Sequence, residues 1–423
     1  MTFMIESGRN APQMEVKLPQ NGHGFGNHQA RFHSLCHSPT KSKGPPRAAQ
    51  PPSPLRIIQT LLLRLMRIIG PPWMFRYPKY FVKTHQQHLN IIIVALLEAT
   101  RYNRFNNTPL IRVAVGVSYM ADKRRFLVRF WGVRGSYPTP GLATVRHGGN
   151  TSCIEVQVGP HTLILDAGSG LIRLGDDLMR RTRGKPLHLS LLITHAHGDH
   201  LNGFPFFSPL FERSTTIDFF GPLLEGRNIE QLVTPIMSPP YFPVDIRKLP
   251  SQRAFHTIED DQYIIWRNGY GKAEVVFDQD DIKDAEVCVY SKYTHSHPSN
   301  GAIHYRIEYA GRSVVYATDV EWSERYDPDF LAFAEGADLL IHDAQYTTED
   351  YLKAKQGFGH SNIEMATGVA TAAGVHALVL FHHEPTYDDA KLDAMEAEAQ
   401  KQFTHTRSAC EGMEIDLLTP QTD

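Results

Sequence analysis

The stretch that most limits the fold is LLITHAHGDHLNG, Leu191 to Gly203. A run of aliphatic residues, the pattern of a buried β-strand, ends abruptly in His195, His197, Asp199 and His200. The intervening Ala196 and Gly198 are small and keep the turn tight. Imidazoles and a carboxylate are the ligands that suit Zn2+ and neighbouring first-row metals. Burying so many polar groups unpaired would be costly. The chain must therefore end a strand at a polar, metal-binding cleft and bring further ligands there from other elements.

From Met120 onward the pattern supplies such elements. FLVRFWGV, CIEVQV, TLILDAG and LHLSLLIT are strand-like runs bounded by Gly, Pro or polar turns. HYRIEYAGRSVVYATD reads as a hairpin turning at Ala310–Gly311, and ADLLIHDA and VHALVLFHH as later buried strands. GHSNIEMATGVATAAG carries apolar residues at helical spacing and ends at Gly374, a C-capping position. Strands in runs with helices after them predict a layered α/β sandwich. Roughly 300 residues suit one such domain, and the sequence shows no internal repeat.

The first 119 residues are of another kind. They hold 15 Lys and Arg against 3 Asp and Glu, whereas Met120–Asp423 holds 28 against 42, a net charge of −14. SPTKSKGPPRAAQPPSP is Pro-rich and basic, the composition of a disordered segment. Ile57–Ile69 could lie on a membrane surface as a basic amphipathic helix. MADKRRFLVRFWGVRGS, from Met120, reads as a natural protein start. The expectation is thus a basic extension over 1–119, outside the working protein, and a catalytic domain over 120–423. IIQTLLLRLMRIIG is interrupted by Arg64 and Arg67, short of the roughly 18 to 20 apolar residues of a membrane span. The four cysteines are far apart with no CxxC, which argues against a disulfide framework or thiolate zinc site and for a reduced, cytoplasmic setting. A chain 42% hydrophobic and 21% charged is ordinary for a soluble globular protein.

His-x-His-x-Asp-His after a hydrophobic strand resembles the signature of the metallo-β-lactamase fold, and the order of motifs from Phe126 to Tyr387 is similar to that family's. The resemblance implies a four-layered αββα sandwich. It makes Asp166, in LILDAGSG, a buried residue that orients the metal loop. It also implies a further His, an Asp and a His at later strand ends. THSHPSNGAIHYRI offers His295, His297 and His304; His297 is the best match, His295 the runner-up and His304 a strand-surface residue. VVYATDVE gives Asp319, and LVLFHHEP gives His382, with His383 as its alternative. Two divalent ions follow, Zn2+ first, with Mn2+ or Fe2+ as alternatives. One would be held by His195, His197 and His297, the other by Asp199, His200 and His382, with Asp319 and a water between them. Such a pair lowers the pKa of the water, and Asp199 can also serve as general base.

Within the family, the flavodiiron branch places Glu where His197 stands, and β-lactamases usually have Cys or His at the Asp319 position. Thioester hydrolases of the glyoxalase II kind keep that Asp. GFGHSN, Gly357 to Asn362, resembles the ribonuclease Z and cyclic-phosphodiesterase branch. It implies His360 as phosphate binder and general acid, at a helix start that favours an anion, with Ser361 as a further substrate contact. In RHGGNTSC, Gly148 and Gly149 allow a tight loop that could turn Asn150 toward the substrate, and Arg134 or Arg146 could reach a phosphate.

Ribonuclease Z carries a basic arm after the first motif, but Leu201–Ser296 holds 14 acidic and 9 basic residues. Long polyanions need Lys and Arg. The charge balance therefore favours a phosphodiesterase acting on a small phosphodiester, a cyclic nucleotide first, over a nucleic-acid polymer. The alternatives are a ribonuclease Z-like endoribonuclease, a thioester or other ester hydrolase, and a non-catalytic metal-binding scaffold. PFFSPLF and MSPPYFPVD could wall a base-stacking site or form a homodimer contact.

Overall fold

The computed structural model describes residues 125–419, apart from 268, 270, 299, 300 and 324. The expectations for the basic extension, the Ile57–Ile69 helix and the start at Met120 fall outside these residues.

Two mixed sheets stack face to face. The first is built from β1 (Phe126–Gly132), β2 (Cys153–Val158), β3 (His161–Leu165), β4 (Leu187–Leu192), β5 (Thr215–Pro222) and β6 (Gln252–Ile258). The second holds β7 (Tyr263–Trp266), β8 (Glu274–Val276), β9 (Val287–Thr294), β10 (Ala302–Tyr309), β11 (Arg312–Ala317), β12 (Leu339–Asp343), β13 (Leu378–Phe381) and β14 (Thr406–Ser408). The last strand, β15 (Glu414–Asp416), returns to the first sheet beside β1. Strands β3 to β6 are mutually parallel, as are β11 to β14. Their C-terminal ends are where ligands bind in parallel sheets.

Every residue of β12 and β13 is buried, as expected for parallel strands covered on both faces. Between the sheets, Phe130, Val156, Leu163 and Leu165 of the first meet Tyr305, Ile307, Tyr316 and Phe381 of the second. The first sheet's outer face is covered by the Gly170–Thr182 helix through Leu171, Leu174 and Leu178. The second is covered by the Ile363–Ala372 and Asp389–Gln402 helices through Val369, Ala370, Leu392 and Met395. These layers make the αββα sandwich. Truncating one of the buried leucines to alanine would cost about 2–5 kcal/mol.

Local chemistry sets the boundaries. The hairpin turns at Ala310 and Gly311, both at positive φ. The Ile363–Ala372 helix starts on Asn362, whose side chain accepts from Met365 N. It ends with Gly374 at φ 63° and Val375 N bonded to Ala370 O, the αL closure that glycine favours. Among the described residues no helix is long and apolar enough to cross a membrane.

Candidate metal centre

The two sheets are hydrogen-bonded to each other where β4 ends. Ile303 N donates to Thr194 O (2.9 Å), and Tyr305 OH donates to Ile193 O (2.8 Å). Asp166, at the end of β3 and at φ 61°, lies fully buried beneath this junction. It accepts from Thr194 N (2.8 Å) and from Tyr316 OH of the opposite sheet (2.9 Å), and it holds His200 Nδ1 at 2.8 Å. That bond turns His200 Nε2 toward the cleft, the orienting role expected of Asp166.

Four donors of the opening motif then meet three from the second sheet. His297 stands in the β9–β10 connection, Asp319 just beyond β11 and His382 directly after β13. His195, His197, His297 and Asp319 each bring one donor atom to within 4.8 Å of the others, and so do Asp199, His200 and His382. Asp319 faces both groups: its Oδ1 is 3.6 Å from His195 Nε2 and 3.5 Å from His297 Nε2, and its Oδ2 is 3.1 Å from His200 Nε2 and 3.4 Å from His382 Nε2. Asp199 Oδ2 lies 3.1 Å from His382 Nε2 and accepts from Ser136 N at 2.8 Å.

Backbone geometry holds the second-sheet donors in place. Asp319 and His382 have φ of 57° and 61°, strained for residues with a Cβ. Gly135 lets the β1–β2 loop close over His382, where a Cβ would fall 2.4 Å from Nδ1. Gly359, at φ 87°, accepts from His297 Nδ1 at 2.8 Å and so points Nε2 at Asp319.

The electrostatics suit cations. Burial disfavours charge on Asp199 and Asp319, yet the surrounding imidazoles hold both carboxyls well below their ordinary range. Burial, and then the neighbouring imidazoles, depress His195. Burial opposes charge on His382 too, but Asp319 and Asp199 override it and push the ring up to about 9. His195 Nε2 is buried with no hydrogen-bond partner among the described residues, and two imidazole nitrogens, His200 Nε2 and His382 Nε2, face each other at 3.2 Å. An orphaned nitrogen and converging lone pairs fit divalent ions better than any internal hydrogen-bond network.

His360 completes the cleft. Its ring stacks on His382 (centroids 4.9 Å apart), and its Nδ1 lies 2.8 Å from Asp343 Oδ2 at the end of β12. Asp343 is a site residue that the sequence reading passed over. The signal was present, since LLIHDA repeats the strand-then-Asp pattern of LILDAG and VVYATD.

Other expectations need correction. His304 is not on a strand surface: it is fully buried, with Nε2 bonded to Thr318 O and its ring against Phe330. His295 is exposed against Tyr293, and His383 turns away to Ala409 O, which leaves His297 and His382 in the cluster. Asn150 does not present its amide to the cleft. Its Nδ2 donates to Glu411, and its Oδ1 accepts from Ser169. Ser361 is fully buried and donates to Val320 O at 2.6 Å. Arg134 is buried and bonded to the carbonyls of Gly148, Glu384 and Tyr387, and Arg146 pairs with Asp393. Both guanidinium groups thus bond protein groups instead.

Residues 161–383 match the family described as "Beta-lactamase superfamily domain". The chain belongs to this family. As a β-lactamase superfamily member with this His/Asp cluster, it is a metal-dependent hydrolase. Among similar curated proteins, ribonuclease Z of Porphyromonas gingivalis is 28% identical over 301 residues, 61% of this chain and 93% of that protein. Ribonuclease Z of Haloarcula marismortui is 29% identical over 322 residues, 70% and 98% of the two chains. Among solved structures, the metallo-β-lactamase fold protein YhfI from Bacillus subtilis is 21% identical, with a TM-score of 0.49, over 70% of this chain and 100% of that one. The human tRNase Z, short form, is 20% identical, with a TM-score of 0.46, over 68% and 98%.

Proposed function

We propose that this superfamily member hydrolyses phosphodiester bonds in RNA in the manner of a ribonuclease Z-like enzyme. The observation that carries the reading is the Asp343–His360 pair set against the shared carboxylate, with His360 Nδ1 3.9 Å from Asp319 Oδ1. The ribonuclease Z relatives support the polymer substrate over a small one.

His195, His197 and His297 would hold one divalent ion, Asp199, His200 and His382 the other, and Asp319 would serve both. Bound there, a metal pair supplies Lewis acidity and a water acidic enough to yield hydroxide near neutral pH, with Zn2+ the best match to a nitrogen-rich donor set. Asp199 Oδ2 is the carboxylate positioned to accept the nucleophile's proton. Asp343 accepts the Nδ1–H of His360 and would stabilise the imidazolium form, whose Nε2–H, with no protein partner among the described residues, is the proton for the leaving alkoxide.

A second reading, a small phosphodiester such as a cyclic nucleotide, draws on the net charge of −14 over Met120–Asp423. A side-by-side assay of pre-tRNA, cyclic mononucleotides and cyclic dinucleotides separates the two. Trimming of pre-tRNA that is lost in Asp319→Ala and His360→Ala is the expected result. Turnover of cyclic nucleotides without RNA cleavage would replace the first reading by the second.

A further inference from the structure

The wall beside His360 carries a cation that the reaction outlined above does not use. Lys355 ends a π-helical turn, Tyr351–Lys355, a form that tends to occur at functional sites. Its ammonium lies 5.1 Å from the ring centre of Tyr346 and 5.5 Å from that of Phe358. Tyr346 is itself 6.1 Å from the His360 ring, which puts Lys355 one aromatic ring away from the acid.

The segment that bears it is pinned. Glu321 accepts from Tyr351 OH, Gly357 N and Gly359 N, each at 2.7 Å, so the stretch from the π-turn to His360 is tied at three points to the residues just after Asp319. Lys355 is paired only at long range. Its nearest carboxylate oxygen, on Glu384, is 3.7 Å away, and Glu384 already accepts from Thr386 Oγ1 and Gln345 Nε2. Neighbouring cations are occupied: Lys353 pairs with Glu349, and Lys391 with Asp350. Phe358 is 54% exposed, a large apolar ring facing solvent two residues before His360.

We propose that Lys355 and Phe358 form a subsite for the nucleotide flanking the scissile phosphodiester. Lys355 binds its phosphate as a point charge, and Phe358 stacks on its base. Cation–π contact with two rings positions the ammonium without neutralising it, and stacking on an exposed ring tolerates any base. The subsite gives the acid's side of the cleft a preference for substrates with a second phosphate, which a bis-aryl phosphate lacks. This inference rests on the RNA reading above and sharpens it.

The test uses the full chain, a short ribo-oligonucleotide and a bis-aryl phosphate. Lys355→Gln should raise KM for the oligonucleotide about fivefold to tenfold, leave kcat within about twofold, and flatten the slope of log affinity against log salt by about 0.7, one single-strand phosphate contact. Lys355→Arg should restore both. Bis-aryl phosphate turnover and the thermal midpoint should not change in any variant. Phe358→Leu should weaken binding about fivefold to tenfold for a normal flanking nucleotide and leave an abasic one unaffected. An unchanged oligonucleotide KM and salt slope in Lys355→Gln would overturn the subsite while the RNA reading stood. A parallel loss on bis-aryl phosphate would overturn it as well, showing that Lys355 supports the site itself. Wild-type turnover of bis-aryl phosphate with no cleavage of any oligonucleotide would remove the RNA reading and the subsite together.

Discussion

Asp343 Oδ2 accepts from the backbone N–H of Asp319 at 3.1 Å and holds His360 Nδ1 at 2.8 Å. One buried oxygen therefore fixes both the backbone of the shared carboxylate and the ring proposed as general acid. His360→Ala is expected to lower kcat about 10²–10⁴-fold, the range of general acid catalysis, with the metal content unchanged. Asp343→Asn should fall between wild type and that variant. Metal analysis alongside the rates is the check, and loss of metal in His360→Ala would reassign His360 from acid to ligand.

Asp319 lies within 3.6 Å of imidazole nitrogens from both donor groups. Purified wild type is expected to hold close to two divalent ions per chain, the complement of a dinuclear site, and Asp319→Ala to lose most of both. A wild-type count near zero, after purification without chelator, would refute the assignment of these seven residues as ligands.

The Asp166–His200 contact reaches the cleft from below. Asp166→Asn preserves the shape but removes the charge that orients the ring and makes it basic. Metal affinity should drop about 10–100-fold, read by competition with a chromophoric chelator. Tyr316→Phe, which removes one of the hydrogen bonds to Asp166, should have a smaller effect in the same direction.

Arg134 links backbone carbonyls from two distant parts of the chain, Gly148 on one side and Glu384 and Tyr387 on the other, and is fully buried. Arg134→Met would leave those carbonyls without their donor and cost about 3–5 kcal/mol. Denaturant titration measures the loss. Metal binding by the folded fraction should persist, because Arg134 touches none of the donors.

His304 gives the domain an acid-sensitive core. Burial first, and then the nearby His342, push its pKa down to about 3, whereas an unfolded histidine titrates near about 6.5. The unfolded state thus takes up the proton first. Stability from this group is complete above pH about 6.5 and falls by up to about 1.4 kcal/mol per unit as pH drops toward 3. His304→Gln should flatten that slope in unfolding experiments between pH 6 and 4, and an identical slope would show that the ring is not the source.

How much of this could be read from the sequence depended on how local each residue's bonds are. The donors at strand ends, His195 to His200, Asp319 and His382, were legible because a hydrophobic run stops at each of them. Asn150 and Ser361 misled because the groups that occupy them are 261 and 41 residues away, at Glu411 and Val320. His304 misled through the alternation in AIHYRIEY, which suggests one wet face; that face is only half-buried at Arg306 and Glu308 but is closed at His304, whose ring lies against Phe330. Asp343 was hidden inside what looked like the end of an ordinary strand. A layered α/β sandwich was legible from strand and helix patterning, and its αββα order from the resemblance carried by the His-x-His-x-Asp-His motif.

The donors are spread along the chain so that the first sheet's loop supplies four and the second sheet three, the last being His382. A chain still on the ribosome, or cut short before residue 382, contains the whole opening motif yet lacks the third member of the Asp199–His200–His382 group. On the ligand assignment proposed above, the site is therefore completed only when β13 docks.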